Sequence, residues 1–412
     1  MSVRRKTGVL FISSAEQPGA DTFIHMLIMR YLDRSSFEVH VACSAGPRDA
    51  RTPGYQALAR IPNLHIRPAD FGPSLTGLSK AGKALQSLRL VPAAASFVGL
   101  ARYVRSQGIT VIHSTDRPRD AVACWILGKM TGAKSIIHAH LKCADWMSGS
   151  VLRSMGRVDA LISISEFVTQ SLVDNGYPLA KIYTVLNAID LPAWDYRLDA
   201  SAVRREFGIA PDAPVITCAA RLFRGKGQDE LIRALPFVRQ EFPDVRVLMV
   251  GRDDLLAQKE SFSAELKQLA TDLGVADSVI FTGQRSDMPA MMAAGDVFAL
   301  PSDEEPFGLV FLEAMAMKRP VVAIANGGTL EVVEHGKSGL LSAFGDHGAL
   351  ADHLRTLLRD PALRARMGEY GRRQVEARFT ADRMANDAGN VYWSLTQAPQ
   401  RAVALERHVT SW

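Results

Sequence analysis

Apolar residues fall along this chain in short β-branched runs separated by stretches of helical period. In the first half the runs are Gly8 to Ser13, Phe37 to Cys43, Leu64 to Pro68, Ile109 to His113, Lys134 to His140 and Ala160 to Ser165. Continuous apolar runs predict strands covered on both faces, and helices between them predict parallel βαβ units. The stretch Leu191 to Pro214, with three prolines and several charges, interrupts the pattern. It restarts as Val215 to Ala219, Val245 to Val250, Val279 to Phe281, Val297 to Leu300 and Val321 to Ala325. Past Asp346 the period turns helical at Leu350 to Leu358, Leu363 to Phe379 and Arg383 to Leu395, and a tail follows from Ala398 to Trp412. The fold class is therefore α/β, with two Rossmann-like, doubly wound parallel sheets facing a central cleft. The domain boundaries are 1–192 and 193–378, with a final segment 379–412. Helix N-termini and strand C-terminal ends line such a cleft, so ligands are expected there.

Composition narrows the class without changing this picture. With 412 residues, 47% hydrophobic and 22% charged, the chain is long enough for two large cores and is neither disordered nor collagenous. The basic start Met1 to Lys6 precedes only four apolar residues, Val9 to Ile12, which reads as a strand and not as a signal peptide. Its richest apolar window, Leu88 to Val104, holds Arg89, Pro92 and Arg102, which counts against a membrane span. Four scattered cysteines, Cys43, Cys124, Cys143 and Cys218, fit a reducing compartment. A net charge of +5 leans toward anionic partners.

The densest chemistry lies in Pro301 to Met317. Glu305 is expected in the loop after a strand and Glu313 a turn or more into the next helix, so the two carboxylates meet different parts of an extended ligand. Carboxylates accept paired hydrogen bonds from vicinal hydroxyls, which points to sugars. The amides of Phe307, Gly308 and Leu309 open that helix and are placed to hold an anion. Acidic residues that merely favour a helix dipole explain the same composition about equally well. In Ala220 to Glu230 a strand is expected to end in a glycine-flanked turn, where Arg221 and Lys226 are candidates to converge on a diphosphate and Arg224 is a weaker candidate for a third cation. A solvated turn with a glycine cap is the alternative. Gly327-Gly328-Thr329 and the loop around Gly19 follow strands in the same manner.

His138 and His140 close a strand with both rings on one side. A zinc reading needs a third ligand, and Cys143 gives no familiar spacing, so no metal is expected. Asp-x-Asp, the usual cue for a metal-bound nucleotide sugar, does not occur. From Phe71 to Thr115 there is no acid, while Lys80, Lys83, Arg89, Arg102 and Arg105 are present. This basic stretch (71–115) suits contact with an anionic membrane surface, and the spacing of Leu78, Ala81, Leu85 and Leu88 equally suits a core-facing helix. Nucleic acid is excluded as a partner because almost no aromatics interleave with these cations.

Taken together, these stretches resemble the retaining glycosyltransferases of family 4, the group 1 glycosyl transferases with the GT-B fold. The resemblance rests on Ala220 to Gln228, Phe281 to Gly283, and Leu300 to Gly328 with its Glu-x7-Glu at Glu305 and Glu313. It implies an N-terminal acceptor-side domain, a C-terminal nucleotide-sugar domain and a last helix that crosses back to the first. In such enzymes the residues matching Arg221 and Lys226 hold the donor diphosphate, that matching Glu305 meets sugar hydroxyls, and that matching Glu313 meets the ribose. The N-domain histidine near the reacting carbon matches His140, and the glycine of the first loop matches Gly19. Here that loop reads Pro-Gly-Ala-Asp where Gly-Gly-Ala-Glu is usual, and Asn187-Ala-Ile-Asp190 replaces Asn-Gly-Val-Asp.

The implied reaction is retaining, metal-independent sugar transfer without a cofactor, from a nucleotide-diphosphate sugar (a UDP-sugar by family default) to a glycan or lipid-linked acceptor in cell-surface polysaccharide synthesis. The implied location is cytoplasmic, at the inner face of the membrane. A nucleotide-sugar epimerase of the same fold, transfer to a small soluble acceptor and a non-enzymatic scaffold are the alternatives.

Overall fold

In a computed structural model, residues 6–47, 49–73, 90–144, 147–253 and 261–397 are described. The chain forms two compact units, Met1–Leu186 with Ala381–Trp412, and Asn187–Thr380.

The first unit is built on seven strands: β1 (Thr7–Ser13), β2 (Phe37–Cys43), β3 (His65–Pro68), β4 (Ile109–Thr115), β5 (Lys134–Ala139), β6 (Ala160–Ser163) and β7 (Ile182–Thr184). Their order is β3-β2-β1-β4-β5-β6-β7, and every pairing is parallel. Val9, Leu10, Phe11 and Ile12 of β1 are all fully buried, as expected of a central strand with helices on both faces. The order reverses between β1 and β4, so their C-terminal ends diverge into a crevice where doubly wound sheets place their ligands. The last helix, Ala381–Thr396, belongs to this unit and packs on the helix Ala20–Tyr31. Gly389 lets the same helix lie close to β2, since a Cβ there would stand 3.1 Å from the Phe37 ring.

In the second unit the strands are β8 (Val215–Ala219), β9 (Arg246–Val250), β10 (Val279–Gly283), β11 (Val297–Leu300), β12 (Val321–Ile324) and β13 (Gly339–Ser342). Here the order is β10-β9-β8-β11-β12-β13, again parallel throughout. Its switch point lies between β8 and β11, and the loops leaving those strands are the ones that carry Arg221, Lys226 and Glu305.

The two-sheet α/β architecture agrees with the sequence reading. Two strands escaped it, β7 and β13, and both are outermost. An edge strand has one neighbour and less burial, so the apolar run that marks a strand shrinks to Ile-Tyr-Thr and Gly-Leu-Leu-Ser. Ile109 to His113 extends to Thr115, whereas Lys134 to His140 ends at Ala139. The helix anticipated through Leu78, Ala81, Leu85 and Leu88, with Lys80, Lys83 and Arg89, lies outside the described residues, as does the tail from Ala398. Among the described residues no helix is long and apolar enough to cross a membrane.

Candidate active site

The second unit brings its candidates together by clamping one loop between two turns. Residues 301–308, which lead from β11 to the helix Leu309–Ala316, meet the turn 223–227 on one side: Ser302 Oγ and the Asp303 amide both donate to the Gly225 carbonyl, each at 3.0 Å. Gly227, with φ +76, touches the same loop so closely that a Cβ would fall 1.9 Å from the Pro301 carbonyl oxygen. On the other side the Gly328 amide donates to the Glu305 carbonyl at 2.7 Å, and a Cβ on Gly328 would sit 2.4 Å from the Pro306 oxygen. Only glycine has room at these crossings. Gly327-Gly328 therefore braces the Glu305 loop, and its second amide is already committed within the protein.

Within this clamp Lys226 Nζ lies 2.6 Å from Glu305 Oε1. Both side chains are largely shielded, at 18% and 9% exposure, so the ion pair is stronger than one at the surface. Phe223 gathers the cations: Arg221 Cζ is 5.2 Å and Lys226 Nζ 5.6 Å from its ring centroid. Arg221 itself is exposed, and its carbonyl accepts from Gln228 Nε2 at 3.0 Å. Arg224 instead pairs with Glu265 at 2.5 Å, so it is drawn away from the other two.

Gly308 caps the helix Leu309–Ala316 with φ +93, a left-handed conformation that favours glycine. Phe307 is buried against Phe379, which leaves its backbone, with those of Gly308 and Leu309, as the opening of the helix. Glu313 lies one turn further on and is partly buried; burial pushes its carboxyl up to about 8.

In the first unit Gly19 caps the helix Ala20–Tyr31 with an extended backbone, and a Cβ there would strike Arg117 Nη2 at 2.7 Å. Arg117 follows β4 and grips Asp21 with two nitrogens, Nε and Nη2, the latter at 2.7 Å. Against the upward push of burial, this guanidinium holds the Asp21 carboxyl below its usual range. The departure from the usual Glu at Asp21 thus has a partner of its own in the fold.

His140 is buried, and its amide donates to Asp116 Oδ2 at 2.9 Å. Burial lowers its ring to about 4 although Asp21 pulls the other way, so the ring is neutral at pH 7. Burial likewise raises Asp116 to about 7 and Asp120 to about 6. Asp120 accepts from the Ser14 amide at 2.8 Å and Thr115 Oγ1 at 3.0 Å, stitching the ends of β1 and β4 together.

Sequence reasoning singled out none of Asp21, Asp116, Arg117 and Asp120 as site residues. The available signal was the position of Asp116-Arg117 immediately after β4, the strand beside the switch point. His138 is joined by His25 and His113, which supply the further imidazoles that the sequence could not pair with it.

Known proteins match the chain in both of its units. Residues 199–374 match the profile of the glycosyl transferases group 1, and residues 19–192 that of Glycosyltransferase Family 4. The chain is 34% identical over 283 residues to a GDP-mannose-dependent monoacylated alpha-(1-6)-phosphatidylinositol monomannoside mannosyltransferase of Corynebacterium glutamicum, covering 65% of this chain and 72% of that protein. It is also 34% identical over 264 residues to the corresponding GDP-mannose-dependent mannosyltransferase of Mycolicibacterium smegmatis, covering 60% of this chain and 66% of that protein. Among solved structures, Alr3699/HepE of Anabaena in complex with UDP and glucose superposes with a TM-score of 0.76 over 94% of this chain and 99% of that one, at 23% identity. That likeness carries the GT-B fold.

Proposed function

The chain belongs to the group 1 glycosyl transferases of glycosyltransferase family 4, and from that premise we propose that it transfers a sugar from a nucleoside-diphosphate sugar with retention of anomeric configuration. The observation that carries this reading is the Lys226–Glu305 pair at 2.6 Å at the switch point of the second sheet, with Arg221 on the same Phe223 ring. A cation for a departing phosphate and a carboxylate for sugar hydroxyls then lie in direct contact.

In this reading Arg221 and Lys226 stabilise the charge that grows on the leaving diphosphate, the work a divalent ion performs in other transferases. Glu305 orients the sugar, Glu313 the ribose, and the amides of Phe307, Gly308 and Leu309 add donors toward the anion. The acceptor hydroxyl attacks from the face the diphosphate leaves, and a phosphate oxygen takes its proton. His140 is neutral in its buried setting, and the family resemblance assigns it the role beside the reacting carbon.

The acceptor class is a lipid-linked or glycan hydroxyl, supported by the phosphatidylinositol monomannoside named for the two actinobacterial relatives. A small soluble acceptor is the second reading, favoured by the N-acetyl-alpha-D-glucosaminyl L-malate synthase of Bacillus anthracis, 28% identical over 277 residues. Uridine is the default base, and guanosine is favoured by the GDP-mannose of the mannosyltransferases.

Thermal-shift binding with UDP, GDP and ADP, each with and without added Mg2+, tests the reading. A ligand that binds only the folded state raises the melting temperature with its affinity, so one nucleotide is expected to shift it without help from the ion. No shift with any nucleotide, in folded protein, refutes the assignment of Arg221 and Lys226.

A further inference from the structure

The first unit contains a second set of functional groups that sugar transfer leaves unused. His25 on the helix Ala20–Tyr31, His113 on β4 and His138 on β5 are all buried. Their ring centroids lie 4.6 Å apart for His25 and His113, 5.3 Å for His113 and His138, and 5.4 Å for His25 and His138. One ring nitrogen of each lies within 4.8 Å of the other two. β4 and β5 bring His113 and His138 to one face, because Thr115 pairs with His138 and residues two apart on a parallel strand share a side.

A neutral imidazole always carries one N–H, and a buried N–H almost always has an acceptor. Here His25 Nε2, His113 Nε2 and both nitrogens of His138 have no hydrogen-bond partner among the described residues. Groups left unsatisfied in a dry core are costly, and apolar side chains of similar volume would fill the space without that cost. An ion that accepts one lone pair from each ring satisfies His25 Nε2, His113 Nε2 and one nitrogen of His138.

We infer that His25, His113 and His138 bind one divalent transition-metal ion of the imidazole-preferring class, such as Zn2+ or Co2+. Tetrahedral zinc takes nitrogens at about 2.0–2.1 Å, so the three ring atoms close inward on binding by small ring movements. One ligand has an outer partner in place: Tyr392 Oη lies 2.7 Å from His113 Nδ1, and with the ion on Nε2 the ring proton sits on Nδ1 and is donated to the phenol. Metal-binding histidines characteristically have such an outer partner. Tyr392 comes from the C-terminal helix, so the ion ties that helix, the helix Ala20–Tyr31 and the sheet into one body. The ion's role is to stabilise the first unit, and the diphosphate cradle of the second unit does not depend on it.

The test uses the full chain, stripped with chelator and dialysed, with Co2+ or Zn2+ as the only addition. One equivalent of Co2+ is expected, with the visible ligand-field bands of a nitrogen-bound ion of low coordination number, and Zn2+ is expected to raise the melting temperature. His138→Gln is expected to abolish the bands. Tyr392→Phe keeps every ligand and is expected to weaken binding by about 10–100-fold, which decides the matter even if the histidine variant does not fold. No uptake by the wild type, or bands and affinity unchanged in Tyr392→Phe, would overturn the site. Nucleotide binding and turnover are read in parallel, so failure here leaves the transferase assignment standing or falling on its own measurements.

Discussion

Replacing Gly227 by alanine separates the geometry of the donor loops from their stability. Gly227 has φ +76, which costs an L-residue roughly 1–2 kcal/mol. Its new Cβ would also begin 1.9 Å from the Pro301 oxygen, where a carbon–oxygen contact needs roughly 3.3 Å. The turn and the Glu305 loop must therefore part by more than an ångström, and with them Lys226 and Glu305. Gly225→Ala is the matched control: φ is +90, nothing stands within 4 Å of its Cβ, and the carbonyl that holds Ser302 and Asp303 remains. Strain alone is expected to lower the melting temperature by a few degrees in both variants, at roughly 2–4 °C per kcal/mol for a unit of this size. Misplacement by about an ångström can cost about a hundredfold in rate, so only Gly227→Ala is expected to lose turnover on that scale. The assay is steady-state kcat/KM for the donor that the nucleotide panel identifies, alongside melting. If the two variants match in turnover to within about twofold, the crossing at Pro301 does not position the site.

Lys226→Ala is expected to lose on the order of 3 kcal/mol at the transition state, about a hundredfold in kcat/KM, and unchanged turnover would sink the leaving-group role. Glu305→Ala is expected to weaken the nucleotide sugar while the nucleoside diphosphate binds nearly as before; calorimetric titrations that fall equally for both would contradict it. Glu313 is raised to about 8 in the folded chain against an ordinary value of 4.5. The folded state thus holds a proton that the unfolded chain releases, and stability falls as pH rises between those values, by at most about 1.4 kcal/mol per pH unit. Glu313→Gln removes this slope, so its stability gain over wild type in denaturant titrations should widen from pH 5 to pH 8, and parallel curves would refute the burial argument.

What could be read in advance was what is local. β8 and β11 announce themselves because central strands are covered on both faces, and Arg221, Lys226, Glu305 and Glu313 sit in motifs whose spacing is itself the signal. The contacts that give those motifs their form are long-range: Gly227 against Pro301 and Gly328 against Glu305 require the strand order, which no window of sequence contains. The histidines show the same limit more sharply. His138 and His140 are two residues apart in the chain and are readable as a pair, whereas His25 and His113 reach them only through the helix Ala20–Tyr31 and β4. Asp21 looked like a departure in a glycine loop until Arg117 appeared beside it.

The C-terminal helix Ala381–Thr396 has a consequence for biosynthesis. The second unit is continuous in the chain, but the first is split around it, so the sheet begun at Thr7 is covered only after the helix Ala381–Thr396 has emerged from the ribosome. At about 5–20 residues per second, roughly two hundred residues of delay leave the face that receives Val391 and Tyr392 open for about ten to forty seconds. Nascent chains are expected to present that apolar seat to chaperones throughout the interval, and emergence of residues 381–396, rather than of the first 186 residues, sets the moment at which the first unit becomes native.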